Sequence, residues 1–261
     1  MKITIENEQF DKERALYNLT NAKVMDCVFA GPADGESVLK EARDVVLENC
    51  SFSLRYPLWH VNGFKITDSV LGGIKAVREC HNIALHDCTI DSQEFGWKCS
   101  GITLEDSSIR SEYLFFDSRD VQLNRVEMKG KYYFQYMENL TITNSNLDTK
   151  DAFWHSKNVT VIDSVVKGEY LGWFSDGLTL VNCKIIGTQP LCYCKNLKLE
   201  NCTMEDTDLS FEYSDVHATI DGHVDSIKNV RSGEIVVDSV GEIITGDAVM
   251  ECTGRVLVRE V

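Results

Sequence analysis

Hydrophobic and polar positions along this chain recur with a period of 19 residues. The repeating phrase is an Asn, Gly or Asp, two aliphatics one residue apart, an Asp or Asn, a Cys or Ser, and a further aliphatic. It reads Asn82-Ile83, Leu85, Asp87-Cys88, Ile90 and again Gly177-Leu178, Leu180, Asn182-Cys183, Ile185, with seven more copies in register. Aligned at this period, Ile83, Ile102, Val121, Leu140, Val159 and Leu178 form one apolar column, and Leu85, Leu104, Leu123, Ile142, Val161 and Leu180 form another two residues on. Aliphatics spaced by two define a strand, not a helix. A third apolar column, from Leu71 through Ile90 and Ile109 to Met204, is followed by small turn residues such as Gly73, Ser92, Gly130 and Gly168. Another apolar segment comes before the next phrase. Each repeat therefore holds three short strands and three corners.

Nineteen residues cannot hold a strand and a crossover helix, and Pro occurs only three times. The expected fold is all-β: a right-handed parallel β-helix of roughly ten coils stacked at ~4.8 Å, because parallel crossovers are right-handed. A leucine-rich repeat would need another Leu three residues before the first aliphatic, where Val61, Cys80, Cys99 and Ser118 stand. Asn139, Asn158 and Asn196 alternate with Gly63, Gly101 and Gly177 at one corner, as a left-handed backbone there requires. An insertion, Gly31-Pro32-Ala33-Asp34-Gly35, predicts a protruding loop. After about Asp215 the register fails, although Glu234-Ile235-Val236-Val237 and Arg255-Val256-Leu257-Val258 still read as strands. The expected organisation is one domain: residues 1–215 form the β-helix with its N-terminal cap, and 216–261 an irregular β continuation and C-terminal cap, which is also a candidate association edge.

The net charge of −15 opposes nucleic acid and polyanionic glycans, since phosphate or carboxylate chains must be met by Lys and Arg. No segment has the apolar length of a membrane span, and the start Met1-Lys2-Ile3-Thr4-Ile5 lacks a secretory leader, so a cytoplasmic location is expected, with no membrane partner. Of ten cysteines, Cys27, Cys50, Cys88, Cys183 and Cys202 share a column with Ser69, Ser107, Ser145 and Ser164, which marks a small inward slot, not a bond. Cys80, His81, His86 and Cys88 lie on different strands and faces and cannot converge on a metal, so no metal and no cofactor are expected.

The phrase Asn/Gly-aliphatic-x-aliphatic-x-Asp/Asn-Cys/Ser, over about residues 20 to 215, resembles the pectin-lyase-like superfamily of right-handed β-helices. Within it the chain resembles a bacterial family catalogued as domain of unknown function 3737. The superfamily resemblance implies carbohydrate as ligand and, for an enzyme, a carbohydrate-active hydrolase or lyase. The paired Asp motifs of polygalacturonases and the Arg-rich Ca²⁺ cleft of the lyases are absent, so no catalytic residue carries over.

Two columns are candidates for function. Trp59, Trp97, Phe116, Trp154, Trp173 and Phe211 share one, with Arg78, Gln135 and Cys192 between them. Pointing outward, these rings form a ladder for a neutral glycan or sugar conjugate, or for a partner protein. Their position two before Cys80, Cys99 and Cys194 phases them inward instead, and the outward row would then be Leu58, Val77, Phe115, Phe134, Phe153 and Leu191. Either phase leaves an apolar strip, whose simplest use is a homodimer contact. The expected binding face combines Trp59, Trp97, Phe116, Trp154 and Trp173 with Phe134 and Phe153. Beside it runs an ionisable row, His60, Glu79, Lys98, Asp117, Tyr136 and His155. Asp117, Tyr136 and His155 are the candidate acid/base group, with Asp117 and His155 about 9.6 Å apart at ~4.8 Å per coil. The same row is equally a ladder of alternating charges, like Arg119, Glu138, Lys157, Asp176 and Lys195 at the next corner. Two functions follow: a carbohydrate-recognising β-helix, or a non-catalytic self-associating or protein-docking scaffold.

Overall fold

The computed structural model describes residues 3–31 and 35–259. It is a parallel β-solenoid without helices among the described residues, of about 13 turns where ten were expected. The chain divides into two compact units, Met1–Gly130 and Lys131–Val261.

In the first unit seven strands each open a coil: Ile3–Glu6, Thr20–Met25, Arg43–Glu48, Asn62–Thr67, His81–His86, Ser100–Ser111 and Arg119–Gly130. They pair in parallel and in register, so that Ile5, Val24, Leu47, Ile66, Leu85, Leu104 and Leu123 form one stacked column. All but Ile5 are buried. A second column, Phe10, Phe29, Phe52, Leu71, Ile90, Ile109 and Met128, follows from the short second strands. The coil from Thr20 to Arg43 is longer than nineteen residues, as the insertion requires; Pro32, Ala33 and Asp34 of the expected loop lie outside the described residues.

In the second unit the opening strands are Glu138–Thr143, Lys157–Ile162, Asp176–Val181, Leu197–Glu205, Asp215–Lys228, Ser232–Ile244 and Arg255–Val258. Ile142, Val161, Leu180, Leu199, Ala218, Ile235 and Val256 stack as their counterparts do. Beyond Asp215 the architecture continues while coil length changes: Asp215 pairs with Ser232, 17 residues on, and Glu234 with Arg255, 21 on.

The Cys/Ser slot does more than fill space. The Cys50 amide donates to Ser69 Oγ at 3.0 Å, Cys88 to Ser107 Oγ at 2.9 Å, and Ser145 to Ser164 Oγ at 3.0 Å. Each slot hydroxyl in turn donates to a carbonyl of its own coil, as Ser69 Oγ does to Thr67 at 2.7 Å. A buried amide at this corner needs an acceptor from the next coil, and a Cys or Ser side chain is short enough to provide one.

Candidate functional site

The third corner of each coil carries the residues singled out in the sequence, and its backbone decides which of them face solvent. In the second unit Tyr132, Phe134 and Tyr136, then Asp151, Phe153 and His155, then Gln189, Leu191 and Tyr193 all have φ between 47° and 63°, so every second residue is left-handed. Such a conformation costs a non-glycine residue roughly 1–2 kcal/mol in isolation. Here it is held from both sides: the Phe153 amide donates back to Tyr133 O at 2.8 Å, and the His155 amide forward to Trp173 O at 3.1 Å. This alternation replaces strand alternation, so residues two apart no longer share a face.

The consequence reverses the expected phase. Phe134 and Phe153, placed on the binding face by the sequence, are 0% and 1% exposed and belong to the core, with Leu58, Val77, Phe115 and Leu191. The tryptophans are the outward members, each half-buried. Trp154 Nε1 donates to Tyr170 O at 2.6 Å, Trp173 Nε1 to Gln189 O at 2.8 Å, and, in the first unit, Trp59 Nε1 to Lys75 O at 2.6 Å and Trp97 Nε1 to Tyr113 O at 3.3 Å. Gln135 reaches Asp151 O in the same way at 3.4 Å, which explains an amide in an aromatic column. Arg78 is explained too, its guanidinium lying 5.4 Å from the Trp59 ring centre and 5.5 Å from that of Trp97. Phe116 is half-buried and packs on Trp97 at 5.1 Å. Phe211 leaves the column: its amide bonds Pro190 O, which puts it in the buried row, and Glu212 takes the outward place, because this coil is one residue longer.

The ionisable row has a different character in each unit. In the first, His60 lies between Glu41, 3.1 Å from Nδ1, and Glu79, 3.5 Å from Nε2, while Lys98 and Asp117 are exposed. That is the charge ladder the sequence allowed. In the second unit the row becomes aromatic. Tyr136 stacks on His155 at 5.1 Å and 11°, His155 on Phe174 at 5.1 Å and 8°, and Phe174 on Tyr193 at 4.9 Å and 17°. Tyr213 continues the row at 5.8 Å, now tilted and buried. Tyr136 and Phe174 remain 49% and 44% exposed. Phe174 and Tyr193 were legible at the 19-residue period from His155; Tyr213 was hidden by the longer coil.

The candidate acid/base residues are thus divided: Asp117 belongs to the first unit, Tyr136 and His155 to the second, and there the two rings meet face to face. Asp151, which the sequence did not single out, is the more unusual carboxylate. It is only 8% exposed, and burial pushes its pKa up, with Lys150 opposing and Glu169 adding to the shift.

Among the described residues, His86, Glu105 and Asp106 bring ligand-type atoms within 4.8 Å of one another. The Asp106 carboxylate is gripped there by Arg125, through Nε at 2.5 Å and Nη2 at 2.7 Å, and the guanidinium holds its pKa below the usual range. Arg125 thus brings a positive charge to this cluster. Cys80 and Cys88 are buried while His81 and His86 face outward, so these four diverge. No helix among the described residues is long and apolar enough to cross a membrane.

The fold and this corner define a parallel β-solenoid with 19-residue coils whose second unit carries an outward stack of rings. The chain belongs to the family described as a protein of unknown function (DUF3737), whose model matches residues 3–72 and 64–257. No curated protein matches it. Among solved structures it is similar to a trypsin-treated variant of QnrB1, a plasmid-mediated fluoroquinolone resistance protein, at 12% identity and TM-score 0.22 over 84% of this chain and 92% of that one. A second trypsin-treated QnrB1 variant is 14% identical with TM-score 0.19, covering 95% and 91%. Superpositions that weak carry no inference about mechanism, and these two structures do not bear on the pectin-lyase-like resemblance.

Proposed function

We propose that the protein is a non-catalytic scaffold that docks a protein partner through the aromatic strip of its second unit. The observation that carries this reading is the row Tyr136, His155, Phe174 and Tyr193, stacked at 4.9–5.1 Å with two members near half exposed. Exposed aromatic rows are what protein interfaces select, because they bury large area with little side-chain entropy to lose. The orientation of the rings argues against the glycan reading. A sugar stacks on the flat face of a ring. Interplanar angles of 8–17° at about one coil's spacing mean that each ring covers its neighbour's face and offers solvent its edge.

A photo-cross-linking amino acid placed at Phe174, with a control at the outward Thr160 on the opening strand, tests the proposal in cells producing the chain. A discrete cross-linked protein from position 174 and none from 160 is the expected result. Equal labelling from both positions, or none from 174, ends the docking reading.

A further inference from the structure

Taking the docking strip as given, we propose that its occupant is a second copy of this chain, packed face to face about a two-fold axis that runs along the strand direction and passes between the coils of His155 and Phe174. Such an axis leaves each column facing its own counterpart and reverses the order of coils. Tyr136 then meets the partner's Tyr193, His155 meets the partner's Phe174, and Trp154 meets the partner's Trp173. Tyrosines stand at both ends of the four near-parallel rings, Tyr213 beyond them being tilted and buried, so that set is symmetric about that level.

Charge is compatible with the same level. One residue pair beyond the rings runs the column Glu138, Lys157, Asp176 and Lys195, whose members are in register from coil to coil. It alternates in sign, so an axis through any coil would oppose like charges. The axis between the coils of Lys157 and Asp176 instead sets Lys157 against the partner's Asp176 and Glu138 against the partner's Lys195. On the other flank Lys150 and Glu169, 3.1 Å apart and both well exposed, exchange under the same operation. Three columns, one aromatic and two ionic, thus share a single centre. The surface around it is also electrically balanced, with Glu138 offset by Lys157, Asp176 by Lys195 and Glu169 by Lys150, on a chain whose net charge of −15 otherwise opposes self-association.

Sedimentation velocity on the full chain and on two charge-reversed variants tests this. The wild type is expected to be dimeric in the micromolar range, and Lys157→Asp and Asp176→Lys each to raise the dissociation constant at least tenfold, since each alone sets like charges face to face. An equimolar mixture of the two variants should recover the dimer, because the carboxylate introduced in one chain then faces the ammonium introduced in the other, and the unaltered Asp176 and Lys157 face each other in the second contact. Within a single chain neither variant repairs the other, so recovery on mixing reports the interface. The pair Lys150→Glu and Glu169→Lys, at exposed positions, repeats the test should Asp176→Lys perturb folding by losing the bond from Asn196 Nδ2 at 2.8 Å. A wild type that stays monomeric to about 100 µM, variants that dimerise unimpaired, or a mixture that fails to recover would each overturn the inference. A monomer that still cross-links a different protein from position 174 overturns only the second copy, whereas no cross-link from 174 removes the docking strip itself.

Discussion

Asp151 is the residue whose environment is most at odds with its chemistry. It occupies a left-handed corner position, φ 52°, which Asp tolerates, but burial raises its pKa above the unfolded value of about 3.9. A carboxyl whose folded pKa is raised favours the folded state below the unfolded pKa, and that contribution is lost as pH rises through the folded pKa. At neutral pH the charged form therefore opposes folding. Asp151→Asn, which keeps the left-handed preference, should raise the melting temperature at pH 7, and the difference from wild type should vanish below about pH 4. Equal melting temperatures at pH 7, or a gain that persists undiminished in acid, would contradict this. The sequence offered no sign of it, because Asp151 shares its column with Tyr132, Tyr170 and Gln189 and only the folded corner withdraws it from water.

At the scale of the element, the opening strands were legible and the third corner was not. Ile83, Leu85 and Ile90 declare their faces because strand geometry converts a spacing of two into one side of a sheet. The Trp column could not be phased by that rule, since left-handed residues at alternate positions turn two successive side chains, such as Tyr133 and Phe134, both inward. The buried row also holds glycine where a ring of the next coil needs room. At Gly96, φ 73°, a Cβ would lie 2.3 Å from the Phe115 ring of the next coil, so the glycine makes room for that ring. Gly96→Ala should destabilise the protein by about 1–3 kcal/mol in denaturant titration. If Phe115→Leu in the same background fails to recover part of the loss, the collision is not its cause. A reader of the sequence sees Gly-Trp beside Phe-Phe; the partnership is visible only once adjacent coils are stacked.

For the whole molecule the repeat predicted the architecture and misjudged its extent, because coils of 17 and 21 residues beyond Asp215 break the spacing while preserving the stack. Asp117 was grouped with Tyr136 and His155 by period alone, although the chain divides into units after Gly130. The cysteines illustrate how a column can outweigh a count. All ten are free thiols, and all except Cys252 are buried. Burial pushes up the thiols of Cys50, Cys80 and Cys88, and that of Cys194 to about 11. Nine of the ten sulfurs are out of a reagent's reach, so the native protein should release about one equivalent of chromophore with a disulfide reagent at pH 8, against ten after unfolding. Rapid release of several equivalents from folded protein would mean that the coils open far more readily than their packing implies.

The hydroxyl and thiol slots have one more implication. Where one Cys or Ser slot follows another, as Ser69 follows Cys50, Ser107 follows Cys88 and Ser164 follows Ser145, the amide is satisfied by the small side chain one coil further on, and the strands pair only with the coils before and after. A whole coil gained by duplication or lost by deletion between two such slots leaves their amides with an acceptor, whereas a single residue added within a coil displaces a face. Over those coils length is less constrained than cross-section, so relatives of this chain are expected to diverge first in how many turns they possess.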